Sequence, residues 1–411
     1  MFKLLQINAT CNWGSTGKIA ELIGIESISR GWESYIAYGR YCNESASEMI
    51  KIGSKGSVYL HYLSQRFFDN EGLCSQKPTR RLIEQIREIN PDIIHLHNIH
   101  DHYLNYKLLF EYLNLTDIKI VWTMHDFWAM TGHCMHFVTA QCTKYASECS
   151  NCPIRTGAQR FLFDRSRQNF RLKKRLFTAN PNLHVVAVSE WVGKIIGESF
   201  LKEKPITVIN NGIDLSIFRP TYSDYYDVLL NGKFVILAVA SQWKSGKGLS
   251  DYKTMSKMLS EDEVIVLVGV DDEIISHLPQ NIIGVKRTDS MQKLSELYTR
   301  ANVVTVLSSA ETFGLTIVEG YACGTPAVVY DNTAPPSLIT PDTGFVVENH
   351  NPAAAYQAIQ EIKKRGKGYY KDYCISLARE RYDKHDCVSH YLNLYESLLT
   401  EKSKNTVKIS T

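Results

Sequence analysis

Short apolar runs rich in Val and Ile alternate with helical patterns along nearly the whole chain, in two successive series. The first series is Phe2–Asn8, Tyr35–Tyr38, Asp92–His97, Lys119–Met124, His184–Val188 and Thr207–Ile209. The second is Phe234–Ala240, Val264–Val270, Ile282–Val285, Val303–Leu307, Ala327–Tyr330 and Phe345–Val347. A strand that is apolar at consecutive positions is buried on both faces, as in a parallel sheet covered by helices. Two such series predict an α/β chain of two Rossmann-like, doubly wound domains facing a cleft. The 411 residues also exceed what one core usually supports.

The boundary falls in 205–220, where Asn210, Asn211, Gly212 and Pro220 favour turns. We place the first domain at 1–205 and the second at 206–384. After Asn351 the pattern is helical, with Tyr391, Leu394, Tyr395 and Leu398 at helical spacing. A net charge of +3 excludes a chain built as a whole to bind polyanions. No basic segment leads into an apolar stretch at the N-terminus, and no apolar run is long enough to cross a bilayer, so the expected location is cytoplasmic. The ten cysteines are then expected to be mostly reduced.

Ligands of open parallel sheets bind beyond the carboxyl ends of the strands. The polar residues that follow each run are therefore the ones to inspect. The run Val303–Leu307 ends in Ser308-Ser309-Ala310-Glu311-Thr312-Phe313-Gly314. A helical pattern starts near Leu315 and stops at Gly324, which is placed as a C-terminal cap. Gly314 lets backbone approach a ligand closely. The helix start offers unpaired N–H groups and a positive dipole end, suited to a diphosphate. Glu319, further into the helix, can accept two hydrogen bonds from a ribose diol, and Glu311 on the loop can bind sugar hydroxyls.

The segment from Glu311 to Glu319 resembles the glutamate–seven–glutamate motif of retaining GT-B glycosyltransferases of the family 4 type. The resemblance implies transfer of a hexose-type sugar from a nucleotide-sugar, UDP- or GDP-linked, with retention at the anomeric carbon and no catalytic cofactor. It places Glu311 on the donor sugar, Phe313, Gly314 and Leu315 around sugar and phosphate, and Glu319 on the ribose. The family also carries an Arg followed by a Lys before a Gly, a pair that neutralises the departing diphosphate in place of a metal. Here the stretch reads Ser241-Gln242-Trp243-Lys244-Ser245-Gly246-Lys247-Gly248. Lys247 fits the second cation. Gln242 stands near the place of the missing Arg, with Lys244 beside it. The sequence has no Asp-x-Asp triplet, which agrees with metal-free stabilisation.

In the first half, Trp13-Gly14-Ser15-Thr16-Gly17-Lys18 follows the opening run but fails the Walker pattern, because Ile19 stands where Ser or Thr is needed. The resembled family has a small-residue loop here, which implies donor contacts from Gly14, Ser15, Thr16 and Gly17. A plain strand-to-helix turn is the other reading. His95 and His97 share one strand face, and His125-Asp126 ends the run 119–124. By resemblance His125 lies beside the reacting end of the sugar, with Asp126 as an acceptor-side or orienting carboxylate. His97 and Asn98 are further acceptor-side candidates. Core histidines satisfied by neighbours are the bland alternative.

The stretch from His125 to Pro153 is similar to that of bacterial exopolysaccharide glycosyltransferases of the colanic-acid type. Cys134, Cys142, Cys149 and Cys152 could hold one structural zinc or remain unligated thiols. Residues 155–175 carry Arg155, Arg160, Arg165, Arg167, Arg171, Lys173, Lys174 and Arg175 against one acid, Asp164, with interleaved apolar residues. That composition reads either as a surface for the inner face of an anionic membrane or as a solvated basic helix. No recognition motif for nucleic acid accompanies it. The resemblance further implies that the helix 385–400 returns to the first domain, and that the acceptor is a glycan, lipid-linked in surface polysaccharide synthesis. A nucleotide-sugar epimerase of the same architecture and a non-catalytic glycosyltransferase-like subunit are the alternatives.

Overall fold

The computed structural model describes residues 1–154, 161–243, 246–288 and 290–407, with side chains through Thr400. The chain divides into two compact units, 1–209 with 388–411, and 210–387. The first unit is built on strands β1 (Lys3–Asn8), β2 (Glu33–Tyr38), β3 (Glu48–Lys51), β4 (Ile93–Leu96), β5 (Lys119–Met124), β6 (Leu183–Ala187) and β7 (Ile206–Val208). They form one sheet in the order β3-β2-β1-β4-β5-β6-β7, and every neighbouring pair is parallel. The chain order reverses direction at β1 and β4, the switch point at which such sheets bind ligands.

The second unit contains β8 (Phe234–Val239), β9 (Glu263–Val268), β10 (Ile282–Val285), β11 (Val303–Val306), β12 (Ala327–Tyr330) and β13 (Gly344–Val347). Its order is β10-β9-β8-β11-β12-β13, again all parallel, with the switch between β8 and β11. Every residue of β9, β11 and β12 is buried, as a largely apolar strand between two helical layers must be.

Two details depart from the sequence reading. β3 was not anticipated, because Glu-Met-Ile-Lys buries only Ile50 and lies at the sheet edge, where apolar patterning is weak. Several expected runs overshoot their strands. Val188, Leu307 and Val270 are buried yet lie past the strand ends, because loops beyond a parallel sheet continue its core.

The last helix, Lys384–Val407, passes from the second unit into the first. It sets Tyr391, Leu392 and Tyr395 against Leu4, Ile93, Val121 and Val186. Tyr395 O–H donates to His95 Nδ1 at 2.6 Å, and His95 Nε2 lies 2.8 Å from Thr123 Oγ1. His95 is thus a core histidine satisfied from both ring nitrogens. No helix among the described residues is long and apolar enough to cross a membrane.

Candidate active site

In the second unit, β11 runs into the loop 307–313 and then the helix Leu315–Ala322. Gly314 is the residue before the helix and has φ +112, a conformation that side chains rarely adopt. Phe313 beside it is buried against Tyr382 in an edge-to-face contact, fixing the turn from beneath. Leu315 is partly exposed at the first helical position, where backbone N–H groups lack intrahelical partners. Glu319, also partly exposed, accepts a hydrogen bond at Oε2 from Tyr298 O–H at 2.8 Å. Burial and the neighbouring Glu319 push Tyr298 well above its ordinary pKa, so it stays a donor. Tyr298 belongs to the helix Met291–Arg300 and carries no local sequence signal.

The loop before the helix Leu249–Met255 runs alongside. Ser309 N–H donates to Gly246 O at 2.8 Å. Gly248 has φ +76, and a methyl there would stand 2.2 Å from Leu307 O, so only glycine permits this approach. Trp243 anchors the start of the loop through Nε1–H to Val268 O at 2.8 Å. The result is a direct ion pair, Lys247 Nζ to Glu311 Oε1 at 2.6 Å, with both side chains partly open to water. Glu311 is held from the other side, its N–H donating to Thr333 Oγ1 at 3.1 Å. The structure therefore brings Glu311, Lys247, Phe313, Gly314, Leu315 and Glu319 to the carboxyl end of one sheet. Gln242 is exposed, and Lys244 lies outside the described residues.

In the first unit, the ends of β1, β4 and β5 gather a second polar cluster. Asn8 links two predicted pieces: Nδ2–H donates to Thr16 Oγ1 at 3.3 Å, and Oδ1 accepts from Asn98 N–H at 3.3 Å. Gly14 and Ser15 open the helix Gly14–Ser29 in exposed positions, and Gly17 is buried beside Thr10. Gln6 Nε2–H donates to Ala20 O, which turns Gln6 Oε1 toward His97 Nε2 at 3.1 Å. His97 must then donate from Nε2 and accept at Nδ1. His125 Nε2, 3.1 Å from His97 Nδ1, is consequently the donor of that pair. His125 therefore keeps an unprotonated Nδ1.

Burial, only partly offset by Asp126, pushes His125 down to about 4, so it is neutral at pH 7. His97 is also held well below its ordinary value, by burial and by His95 and His125. His100 behaves oppositely. Burial disfavours its charge, but Asp126 and Asp101 hold it well above the usual range. His100 Nε2 is 2.8 Å from Asp126 Oδ2, and that imidazolium overcomes the upward push of burial on Asp126 and lowers it. Trp128 N–H completes the hold on Asp126 at 2.9 Å. A pocket at this point is lined by His97, Asn98, His100, Thr123, His125 and Asp126, among others. His100 was not among the predicted site residues, although its place beside His97 and Asn98 was the available signal.

Two readings change on the structure. Of the two left open for Cys134, Cys142, Cys149 and Cys152, that of unligated thiols fits better, since among the described residues no group of ligand atoms within 4.8 Å of one another includes them. Among the described residues, the groups whose ligand atoms lie within 4.8 Å of one another are Asp69 with His133 and Asp164, and Glu71 with His100 and Asp101. Cys134 and Cys149 are buried, and burial pushes their thiols to about 12 and about 11. Cys152 Sγ instead faces His133 Nε2 at 3.0 Å. Ser189 caps the helix Glu190–Glu198 by accepting from Val192 N–H.

The second change concerns 155–175. Residues 155–160 lie outside the described residues, and the helix starts only at Ser166. Lys173 is not on a solvated face. It is fully buried, donates to Trp128 O and Thr131 O at 2.6 and 3.2 Å, and lies 3.4 Å from the Trp128 ring centroid. Arg167 and Arg171 both pair with Glu148.

Residues 229–381 match the family model described as glycosyl transferases group 1, and residues 26–217 match Glycosyltransferase Family 4. The chain has the GT-B fold, and each of its two halves matches a glycosyltransferase family model. It is 22% identical to the putative colanic acid biosynthesis glycosyl transferase WcaC of Escherichia coli K12, over 96% of this chain and 100% of that protein. Among solved structures it resembles the sucrose-phosphate synthase of Thermosynechococcus elongatus, with TM-score 0.72, 15% identity, and 98% and 100% of the two chains covered. HepE of Anabaena in complex with UDP aligns at TM-score 0.64 and 16% identity, over 97% and 100%. These structural likenesses show the shared fold of two Rossmann-like domains.

Proposed function

We propose that this chain is a GT-B glycosyltransferase that moves a hexose-type sugar from a nucleotide-sugar to a glycan acceptor, with retention at the anomeric carbon. The observation that carries the reading is the second-unit constellation. A helix N-terminus, a lysine–glutamate pair at 2.6 Å and a second glutamate held by Tyr298 stand together past β8 and β11. The amides near Phe313–Leu315 and Lys247 suit a diphosphate, whose growing charge is the main object of stabilisation as the sugar leaves. Glu319 suits the ribose diol, and Glu311, released from Lys247 when the diphosphate takes over that cation, suits the sugar hydroxyls. In the first unit, neutral His125 offers an unprotonated Nδ1 as a hydrogen-bond acceptor, and Asp126, kept ionised by His100, is the acceptor-side carboxylate. This chemistry needs no catalytic metal.

The relatives support finer choices. HepE structures hold UDP and UDP-glucose, which favours a UDP-linked donor. WcaC is named for colanic acid biosynthesis, which favours a surface-polysaccharide acceptor, lipid-linked at a cytoplasmic membrane face. Phe68, stacked on Phe163, and the exposed Tyr59, Leu60, Phe67 and Leu162 supply apolar side chains for that face. The exposed Arg165, Lys174 and Arg175 supply cations from the same region of sequence.

Thermal-shift titrations with UDP-, GDP- and ADP-sugars test the donor assignment. One base should raise the midpoint in the wild type, and Glu319→Ala should weaken that shift. If no nucleotide-sugar shifts the wild type, the reading fails. Incubating the donor alone separates transfer from epimerisation, which changes the donor without an acceptor.

A further inference from the structure

Three segments of the first unit converge on one histidine that the proposed chemistry does not use. Asp69 ends the helix Lys55–Phe68, His133 lies in the excursion after Asp126, and Asp164 precedes the helix Ser166–Ala179. Each offers one ligand atom, and the three atoms lie within 4.8 Å of one another. His133 Nδ1 is 3.0 Å from Asp69 Oδ2. Asp69 is fully buried, and its other oxygen, Oδ1, has no hydrogen-bond partner among the described residues. A buried carboxylate oxygen without a partner is costly, and a bound ion is one of the few things that satisfies it.

The surroundings are those of a ligand set. Two donors each about 2.1 Å from a common ion stand about 3.0–3.4 Å apart, and the Asp69–His133 separation falls in that range. A metal-bound imidazole usually gives its other N–H to an acceptor, and His133 Nε2 faces Cys152 Sγ at 3.0 Å. Carboxylate ligands are usually steadied by N–H donors. Asp69 Oδ2 accepts from Arg165 N–H at 2.8 Å, Asp164 Oδ2 from Cys152 N–H at 2.8 Å, and Asp164 Oδ1 from Ser166 N–H at 2.9 Å. The nearby buried amine, Lys173, is committed to Trp128 O and Thr131 O.

We propose that Asp69, His133 and Asp164 bind one divalent transition cation of the zinc class, with Cys152 accepting the outer N–H of His133. The mixed nitrogen–oxygen set suits such an ion. Binding pins the excursion that carries Trp128–Met130 to two helix ends, and so supports the segment that follows Asp126.

Zinc content read by elemental mass spectrometry tests the site independently of sugar transfer. The full chain is purified without chelator, then stripped and re-loaded with zinc chloride. About one zinc per chain is expected, lost in Asp69→Asn and His133→Gln and kept in Cys142→Ser and Cys149→Ser. Absence of zinc before and after re-loading overturns the proposal, as does loss of zinc in the cysteine variants alone. Because Asp69→Asn could fail to fold, the wild type is also loaded with cobalt. Visible ligand-field bands without an intense sulfur-to-cobalt charge-transfer band are expected, and a strong charge-transfer band would place the ion on thiolates instead.

Discussion

Replacing Lys247 with methionine removes a cation but keeps most of its apolar stem, and the structure separates the effects on folding and on chemistry. Lys247 and Glu311 are 33% and 22% exposed in their side chains. An ion pair that open to water contributes at most about 1 kcal/mol, so the unfolding midpoint should scarcely move. On the reaction path the charge matters far more. Two unit charges about 4 Å apart at an effective dielectric near 20 interact by about 4 kcal/mol. Loss of one preorganised group that stabilises developing charge costs roughly 10²–10³ in rate. The uncompensated Glu311, fixed by Thr333 and Ala334, would then repel the diphosphate and add to the loss. The assay is release of nucleoside diphosphate from whichever nucleotide-sugar gives the largest thermal shift, with kcat/KM measured for wild type, Lys247→Met and Lys247→Arg. We expect a fall of roughly 10²–10³ for the methionine variant at unchanged urea midpoint, and partial recovery with arginine. A kcat/KM within about threefold of wild type, under 1 kcal/mol of barrier, would refute the assignment of Lys247 to the leaving group.

Gly248→Ala puts a methyl 2.2 Å from Leu307 O at φ +76; with the left-handed cost alone at about 1–2 kcal/mol, urea denaturation should show a loss above about 2 kcal/mol. His100→Gln removes the imidazolium that lowers Asp126, so the Asp126 carboxyl rises and the acid limb of kcat/KM against pH should move upward; an unmoved limb would mean that Asp126 is not the group titrating there. Lys173 is lowered by burial to about 7 from an ordinary 10.5, so the unfolded chain binds the proton more tightly between those values and wild-type stability gains up to about 1.4 kcal/mol per pH unit there from this residue. Urea titrations from pH 7 to 10 should show that slope reduced in Lys173→Met; equal slopes in both proteins would show that the buried amine stays charged.

What the sequence could and could not disclose follows from how far apart the cooperating residues are. The Glu311–Glu319 segment was readable because strand end, loop and helix start are contiguous, and one short stretch fixes their geometry. Tyr298, which holds Glu319 across 21 positions, and Asp69, which meets His133 across 64, are joined only by packing between helices and loops. No local pattern could have paired them. The cysteines show the same limit from the other side. Their spacing suggested one ligand set, but spacing does not say where side chains point. Cys134 and Cys149 are buried and Cys152 turns to His133, and among the described residues no group of ligand atoms within 4.8 Å of one another includes a cysteine. Lys173 is different, because its burial was legible. Phe170, Lys173, Leu176 and Phe177 fall on one face at helical spacing, and that face is the buried one. Counting charges over 155–175 placed this lysine with its exposed neighbours. Its position in the period placed it among the apolar residues, where an amine can remain only by donating to carbonyls, as it does to Trp128 O and Thr131 O.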